Sequence, residues 1–102
     1  MTKLLNKEDF TPHVGKVFRF VQADYAMPLH HIDGGDVLMA GYARPPFILI
    51  FASRRSGPIL PEGIYDVEVD GGQAAGGESF WFHICPMHHP DIELQFYQAI
   101  MS

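Results

Sequence analysis

The clearest pattern along the chain is an alternation of apolar and mostly polar residues in its second half. It runs through residues 64–69 and again through residues 79–85. Alternation with a period of two places one set of side chains on each face of a β-strand, so both segments are predicted to be strands with one buried face. The residues on the predicted buried faces are Tyr65, Val67 and Val69 in the first strand and Phe80, Phe82 and Ile84 in the second.

A different pattern marks residues 47–52, where the sequence FILIFA does not alternate. Arg44, Pro45 and Pro46 precede it and stop local pairing. A strand that is apolar on both faces has to be covered on both sides, within its own domain or by a partner subunit. Two interpretations stay open, a barrel that closes over both faces and an apolar surface that meets a partner. The candidate interface residues are Phe47, Leu49, Phe51 and Trp81.

The first half of the chain is predicted to begin with a short helical turn over residues 4–14, with Asn6 as its N-cap. Strands are then expected at residues 16–22, 25–32 and 37–43. The sequence DGGD at residues 33–36 is a strong turn signal, which favours a hairpin between the second and third of these strands.

The last predicted strand begins near residue 92. Ile92, Leu94 and Phe96 are expected to face the core, and a change of phase near Tyr97 indicates a β-bulge. About six closely spaced strands with turns between them are typical of an antiparallel sandwich or small barrel. The predicted fold is therefore all-β and mainly antiparallel, a small β-barrel or sandwich in which residues 1–102 form one domain.

Composition narrows the possible partners. The net charge of -5 over 102 residues gives no electrostatic means of binding phosphates, so nucleic acid and an anionic membrane surface are not expected. The chain has one cysteine, Cys85, which fits a reducing compartment. Its first residues are not those of a secretion signal, and its longest apolar run is too short to cross a membrane. A bacterial, cytoplasmic protein is the simplest interpretation.

One cluster could carry chemistry: His83, Cys85, His88 and His89. His83 and Cys85 point the same way from a strand, and imidazole and thiolate are the ligands that zinc prefers. The spacing matches no established zinc motif, so polar side chains on a strand edge and loop remain the alternative. His30 and His31 could add a ligand, but adjacent residues are expected on opposite faces of a strand, and the cupin arrangement is therefore absent.

No catalytic template fits the chain. Covalent catalysis at Cys85 would need a positioned base and a lowered pKa, which an apolar strand does not favour. The sequence contains no nucleophile elbow, no P-loop and no dinucleotide-binding motif. We therefore expect no catalytic residues and no cofactor.

Three groups of segments carry a resemblance to a known family. They are LNKEDF at residues 5–10 with HVG at 13–15, RPPF at 44–47 with LPEGIY at 60–65, and YQAI at 97–100. This order resembles a family of small bacterial β proteins of unknown function. The resemblance implies a β fold and a genomic association with phage-tail-collar-like proteins, and it implies no catalytic residues. His83, Cys85, His88 and His89 lie where this chain departs from the family pattern.

Together these observations predict a non-enzymatic structural or protein-interaction module, and the family resemblance implies an accessory role in a phage-tail-like assembly. Its expected partner is itself, as a homodimer, or another protein. The alternative is a metal- or small-ligand-binding β-barrel that uses His83, Cys85, His88 and His89. A third hypothesis is an enzyme whose residues converge only in three dimensions.

Overall fold

Six antiparallel strands close into a barrel in the order β1-β2-β3-β6-β5-β4. The computed structural model describes residues 5–38, 40–41, 43–55, 57, 59–88 and 93–101. The strands are β1 (Val17–Phe20), β2 (Tyr25–Gly34), β3 (Phe47–Arg54), β4 (Gly63–Val69), β5 (Glu78–Met87) and β6 (Leu94–Met101). The predicted all-β fold is confirmed, and the structure selects a closed barrel over a sandwich.

Closure depends on the pairing of β1 with β4, which joins the two ends of the sheet. Each of the six described strands has two neighbours, although the pairing is partial: β5 pairs with β4 over residues 78–84 and with β6 over residues 85–87. The barrel interior is filled by the inward side chains of all six strands, and aromatic rings dominate it. Phe51 of β3 lies at its centre, with ring centroids 5.3 Å from both Phe18 and Phe20 in edge-to-face contacts.

The predicted N-terminal helical turn is present as two consecutive 3₁₀ turns, Lys7–Asp9 and Thr11–His13. The backbone N–H of Asn6 donates to the Asp9 carboxylate at 2.7 Å, which satisfies a donor at the start of the first turn. The turns carry Phe10 into the barrel, where it is fully buried and its ring lies 4.8 Å from that of Phe80. This segment therefore closes one end of the barrel.

The prediction of a hairpin across residues 33–36 is wrong. β2 pairs with β1 and β3, and the described part of residues 37–43 contains no strand. Gly34 and Gly35 both have positive φ, 79° and 90°, and they turn the chain away from the sheet. A loop then returns to place Phe47 opposite Gly34. The longer apolar run of β3 thus takes the pairing position that the shorter run after the turn was expected to fill.

The predicted phase of the last strand is also wrong. Tyr97, Ala99 and Met101 point into the barrel, whereas Leu94 and Phe96 lie on its outside. The register between β3 and β6 is continuous from Phe47–Met101 to Arg54–Leu94, so the predicted bulge near Tyr97 is absent. Ile92 lies outside the described residues. The outer side chains of β6 are apolar except that of Gln98, and they cover the outer face of β3.

Tyr97 makes a buried polar contact in the barrel. Its hydroxyl accepts a hydrogen bond from the backbone N–H of Leu60 at 2.8 Å, and both residues are at most 1% exposed. This bond ties the loop between β3 and β4 to the core. Burial raises the pKa of Tyr97 above its ordinary value, although the hydrogen bond from Leu60 works in the opposite direction.

Replacing Tyr97 with Phe tests this hydrogen bond. The Tyr97→Phe variant leaves the buried N–H of Leu60 without its acceptor, so the free energy of unfolding should fall by about 1–3 kcal/mol. Urea denaturation measures the change. The matched control is Tyr65→Phe, whose hydroxyl donates to the backbone carbonyl of the exposed Pro61 and should matter less. Equal losses in the two variants would contradict the assignment.

The raised pKa of Tyr97 predicts a loss of stability in alkaline solution. The unfolded chain releases the tyrosine proton near its ordinary pKa of 10.0, while the folded chain still holds it. The stabilisation is therefore complete below pH 10 and is lost as the pH rises through the folded-state pKa. When unfolding is measured between pH 9 and pH 11, the difference in unfolding free energy between wild type and Tyr97→Phe should become smaller as the pH rises. A constant gap would argue against this effect.

Candidate interaction surface

A second apolar cluster lies on the outside of the barrel, over β3 and β6. Ile50, Ala52 and Phe96 form its centre and are only 4–6% exposed, although they point away from the barrel interior. We call this surface the outer patch and define it by seven outward apolar side chains: Ile48, Ile50, Ala52, Met87, Leu94, Phe96 and Ile100.

The strand register arranges the outer patch as a strip. Ile48 lies opposite Ile100 at one end, Ile50 lies opposite the polar but uncharged Gln98 in the middle, and Ala52 lies opposite Phe96 toward the other end. Exposure differs sharply along the strip, because Ile100 is 62% exposed while the central Ile50 is 4% exposed. The centre is therefore packed within the chain, and one end presents a large aliphatic side chain to solvent.

The outer patch carries no formal charge along its length. Residues 47–53 of β3, residues 85–87 of β5 and all of β6 contain no Asp, Glu, Lys or Arg. The opposite side of the barrel differs, since Arg19 on β1 bridges Asp24 at 3.1 Å and Glu68 at 3.2 Å. The hydrogen bonds that the Arg19 guanidinium donates to these carboxylates raise its pKa. Charge is thus concentrated on β1 and β4 and absent from the outer patch.

A β-bulge in β2 borders the outer patch and changes the placement of the two histidines. The register shifts between Leu29 and His31, so that His31 lies opposite Ile50. The ring of His30 contacts Phe96 of the outer patch at 5.3 Å, and the Nδ1 atoms of His30 and His31 lie 2.8 Å apart. The expectation that these adjacent histidines point to opposite faces is wrong, because a bulge places two residues opposite one.

The predicted interface residues occupy two separate places. Phe47, Leu49 and Phe51 point into the barrel and are at most 1% exposed, so they belong to the core and present no surface to a partner. Trp81 is 67% exposed on the outside of β5. The structure therefore does not bring Trp81 together with the other three. The residues of β3 that do point outward include Ile48 and Ile50, which alternate with the three core residues. Because both sets are apolar, the sequence cannot indicate which of them faces outward.

The predicted histidine and cysteine cluster is brought together in part. His83 and Cys85 share the outer side of β5, and the Glu62 carboxylate reaches both, at 3.0 Å from His83 Nε2 and 4.0 Å from Cys85 Sγ. His88 is exposed beyond the strand, and His89 lies outside the described residues. Within the described part of the chain, no three His, Cys, Asp or Glu side chains are arranged to hold a metal ion.

Sequence reasoning missed Glu62, which lies in the turn before β4. The pairing of Gly63 with Ile84 places this turn beside His83 and Cys85. The approach of Glu62 depends on the register of two strands, which the isolated motif LPEGIY does not specify.

Truncation of the outer patch tests whether it is a second core. Ile50→Ala should lower the free energy of unfolding by about 2–4 kcal/mol, because it removes buried methyl groups and leaves a cavity. Ile100→Ala, at the exposed end of the same patch, should change it by less than about 0.5 kcal/mol. Both are measured by urea denaturation at low protein concentration. Similar losses would show that the centre of the patch is not packed as described.

Comparisons with known proteins give one match. A family described as a domain of unknown function (DUF6916) matches residues 5–101. No curated protein and no solved structure matches the chain significantly. In the described residues, no helix is both long enough and apolar enough to span a membrane. The match bears out the resemblance to an uncharacterised family.

Proposed function

The chain belongs to the family described as a domain of unknown function (DUF6916), and we propose that it acts as a protein-interaction module that pairs with a second copy of itself through the outer patch. The observation that carries this proposal is the uncharged apolar strip over β3 and β6 in an otherwise acidic chain.

The charge distribution supports a second copy as the partner. Two chains of net charge -5 repel each other, and close contact between like charges costs several kcal/mol. The outer patch avoids this repulsion because its strands contain no charged residue between positions 47 and 53 or between 94 and 101. A strongly basic or acidic partner would gain nothing from such a surface.

The shape of the patch also suits a two-fold pair. In a two-fold interface the same surface of each protomer meets its copy, so one strip has to complement itself. A two-fold axis near Ile50 would bring the exposed end at Ile100 of each copy toward the Phe96 end of the other. Apolar burial at Ile100 would then stabilise the pair.

The area needed is modest for this barrel. A standard protein interface buries about 800 Å² on each partner. The chain exposes 6344 Å², so such an interface would take about an eighth of its surface. The finer expectation of a role in a phage-tail-like assembly rests on the family resemblance alone and remains a prediction.

Introducing a charge at the exposed end of the patch tests the proposal. Ile100→Asp should raise the dimer dissociation constant at least tenfold, because each protomer would bring a carboxylate into an apolar contact. Sedimentation equilibrium over the micromolar range measures this constant for the wild type and the variant.

Ile64→Asp is the matched control. Ile64 is also an isoleucine on the outside of a strand, and it is also 62% exposed, but it lies on β4 opposite His83. This variant should leave the dissociation constant unchanged. A wild-type chain that stays monomeric at high micromolar concentration, or equal weakening by both substitutions, would overturn the proposal.

A further inference from the structure

A concave pocket of about 390 Å³ opens between the N-terminal turns and the beginning of β5. Its volume lies in the range of small-molecule sites in proteins. The side chains around it come from three places: the N-terminal segment, the 3₁₀ turn Gln73–Ala75 and β5. The lining residues are Leu5, Asp9, Gln73, Glu78, Ser79, Phe80 and Trp81.

Two aromatic residues of β5, Phe80 and Trp81, are among those that line the pocket. Phe80 is half-buried and fixed by its contact with Phe10, with ring centroids 4.8 Å apart. Trp81 is 67% exposed, although indole is among the largest apolar groups. The face of an aromatic ring carries partial negative charge and attracts cations, and Trp is the most effective residue in this role.

Two carboxylates, those of Asp9 and Glu78, give the site a negative character, and none of the described residues that line it is a Lys, Arg or His. Asp9 is oriented by the backbone N–H of Asn6, and Glu78 by a hydrogen bond to His13. An ionised carboxylate can accept about four hydrogen bonds, so each of these groups can also bind a ligand.

Arg44 is buried and donates to the backbone carbonyl of Leu5, and two other basic side chains are held by carboxylates. His13 bonds to Glu78, and Lys16 bonds to Asp70 at 2.7 Å. The hydrogen bond from the Lys16 ammonium lowers the pKa of Asp70, which keeps the Asp70 carboxylate ionised. Anionic ligands are therefore disfavoured, and a cation would gain from both the rings and the carboxylates.

From this geometry we propose that the pocket binds a small organic ammonium ion, with the cation against the face of Trp81 and within reach of Asp9 and Glu78. This site is separate from the outer patch, because Trp81 projects from β5 opposite Asp66 of β4, on another side of the barrel. Binding of the cation and self-association can therefore be tested independently.

The chain reports on this site directly, since Trp81 is its only tryptophan. Titration of the full chain with choline should give a saturable change in tryptophan fluorescence. The neutral analogue 3,3-dimethylbutan-1-ol has the same shape without the charge, and it should bind about tenfold more weakly or not at all. No saturable response to choline, or equal binding of the alcohol, would overturn the proposal.

Substitutions at the carboxylates test whether choline binds in this pocket. Glu78→Gln should weaken choline binding about five- to tenfold, because it removes one of the two negative charges. The matched control is Glu62→Gln, since Glu62 is also an exposed carboxylate paired with a histidine but lies outside the pocket. It should bind choline as the wild type does. Equal weakening by both substitutions would mean that only the net charge of the chain is sensed, which contradicts a site.

Asp9→Asn gives a second test at the other carboxylate. The asparagine side chain can still accept the hydrogen bond from the Asn6 backbone, so the N-terminal turn should persist while the charge is lost. Choline binding should weaken about as much as in Glu78→Gln. If Glu78→Gln fails to fold without the His13 contact, this variant decides the outcome, and unchanged affinity in it would overturn the proposal.

Discussion

The structure depends on one constraint, which is that β3 has two apolar faces and both have to be kept from water. Phe47, Leu49 and Phe51 are covered by closing the sheet into a barrel around them. Ile50 and Ala52 are covered by Phe96 and its neighbours on the outside. Each face stabilises the fold by removing apolar area from water. A barrel of this size therefore has two apolar clusters that share a single strand.

The strands next to β3 are adapted to this requirement. β6 pairs with all of β3 and supplies inward residues to the core and outward residues to the outer patch. β2 contains a bulge opposite Ile50, which adds the ring of His30 to the border of the patch. A bulge also increases local twist and bending, which helps a short sheet to close. The outer patch thus results from the same pairing that closes the barrel.

The sequence predicts the parts of this arrangement in which one face of a strand is polar. Tyr65 and Val67 of β4 alternate with acidic residues, and their burial was predicted correctly. The prediction fails where apolar residues occur on both faces of a strand, because the sequence pattern then does not show which face points into the core. This ambiguity led to the wrong orientation of Phe96 and to the selection of Phe47 as an interface residue. Similarly, the carboxylate of Glu62 approaches His83 only through strand register, which no local motif specifies.

Concentration-dependent amide NMR spectra test the role of the outer patch most directly. If copies of the chain meet there, dilution should shift the amide resonances of Ile48, Gln98 and Ile100 together, along one binding curve. The resonances of Ile64 and Trp81, on another side of the barrel, should stay in place. Spectra that do not change on dilution, or shifts confined to Ile64 and Trp81, would contradict the account.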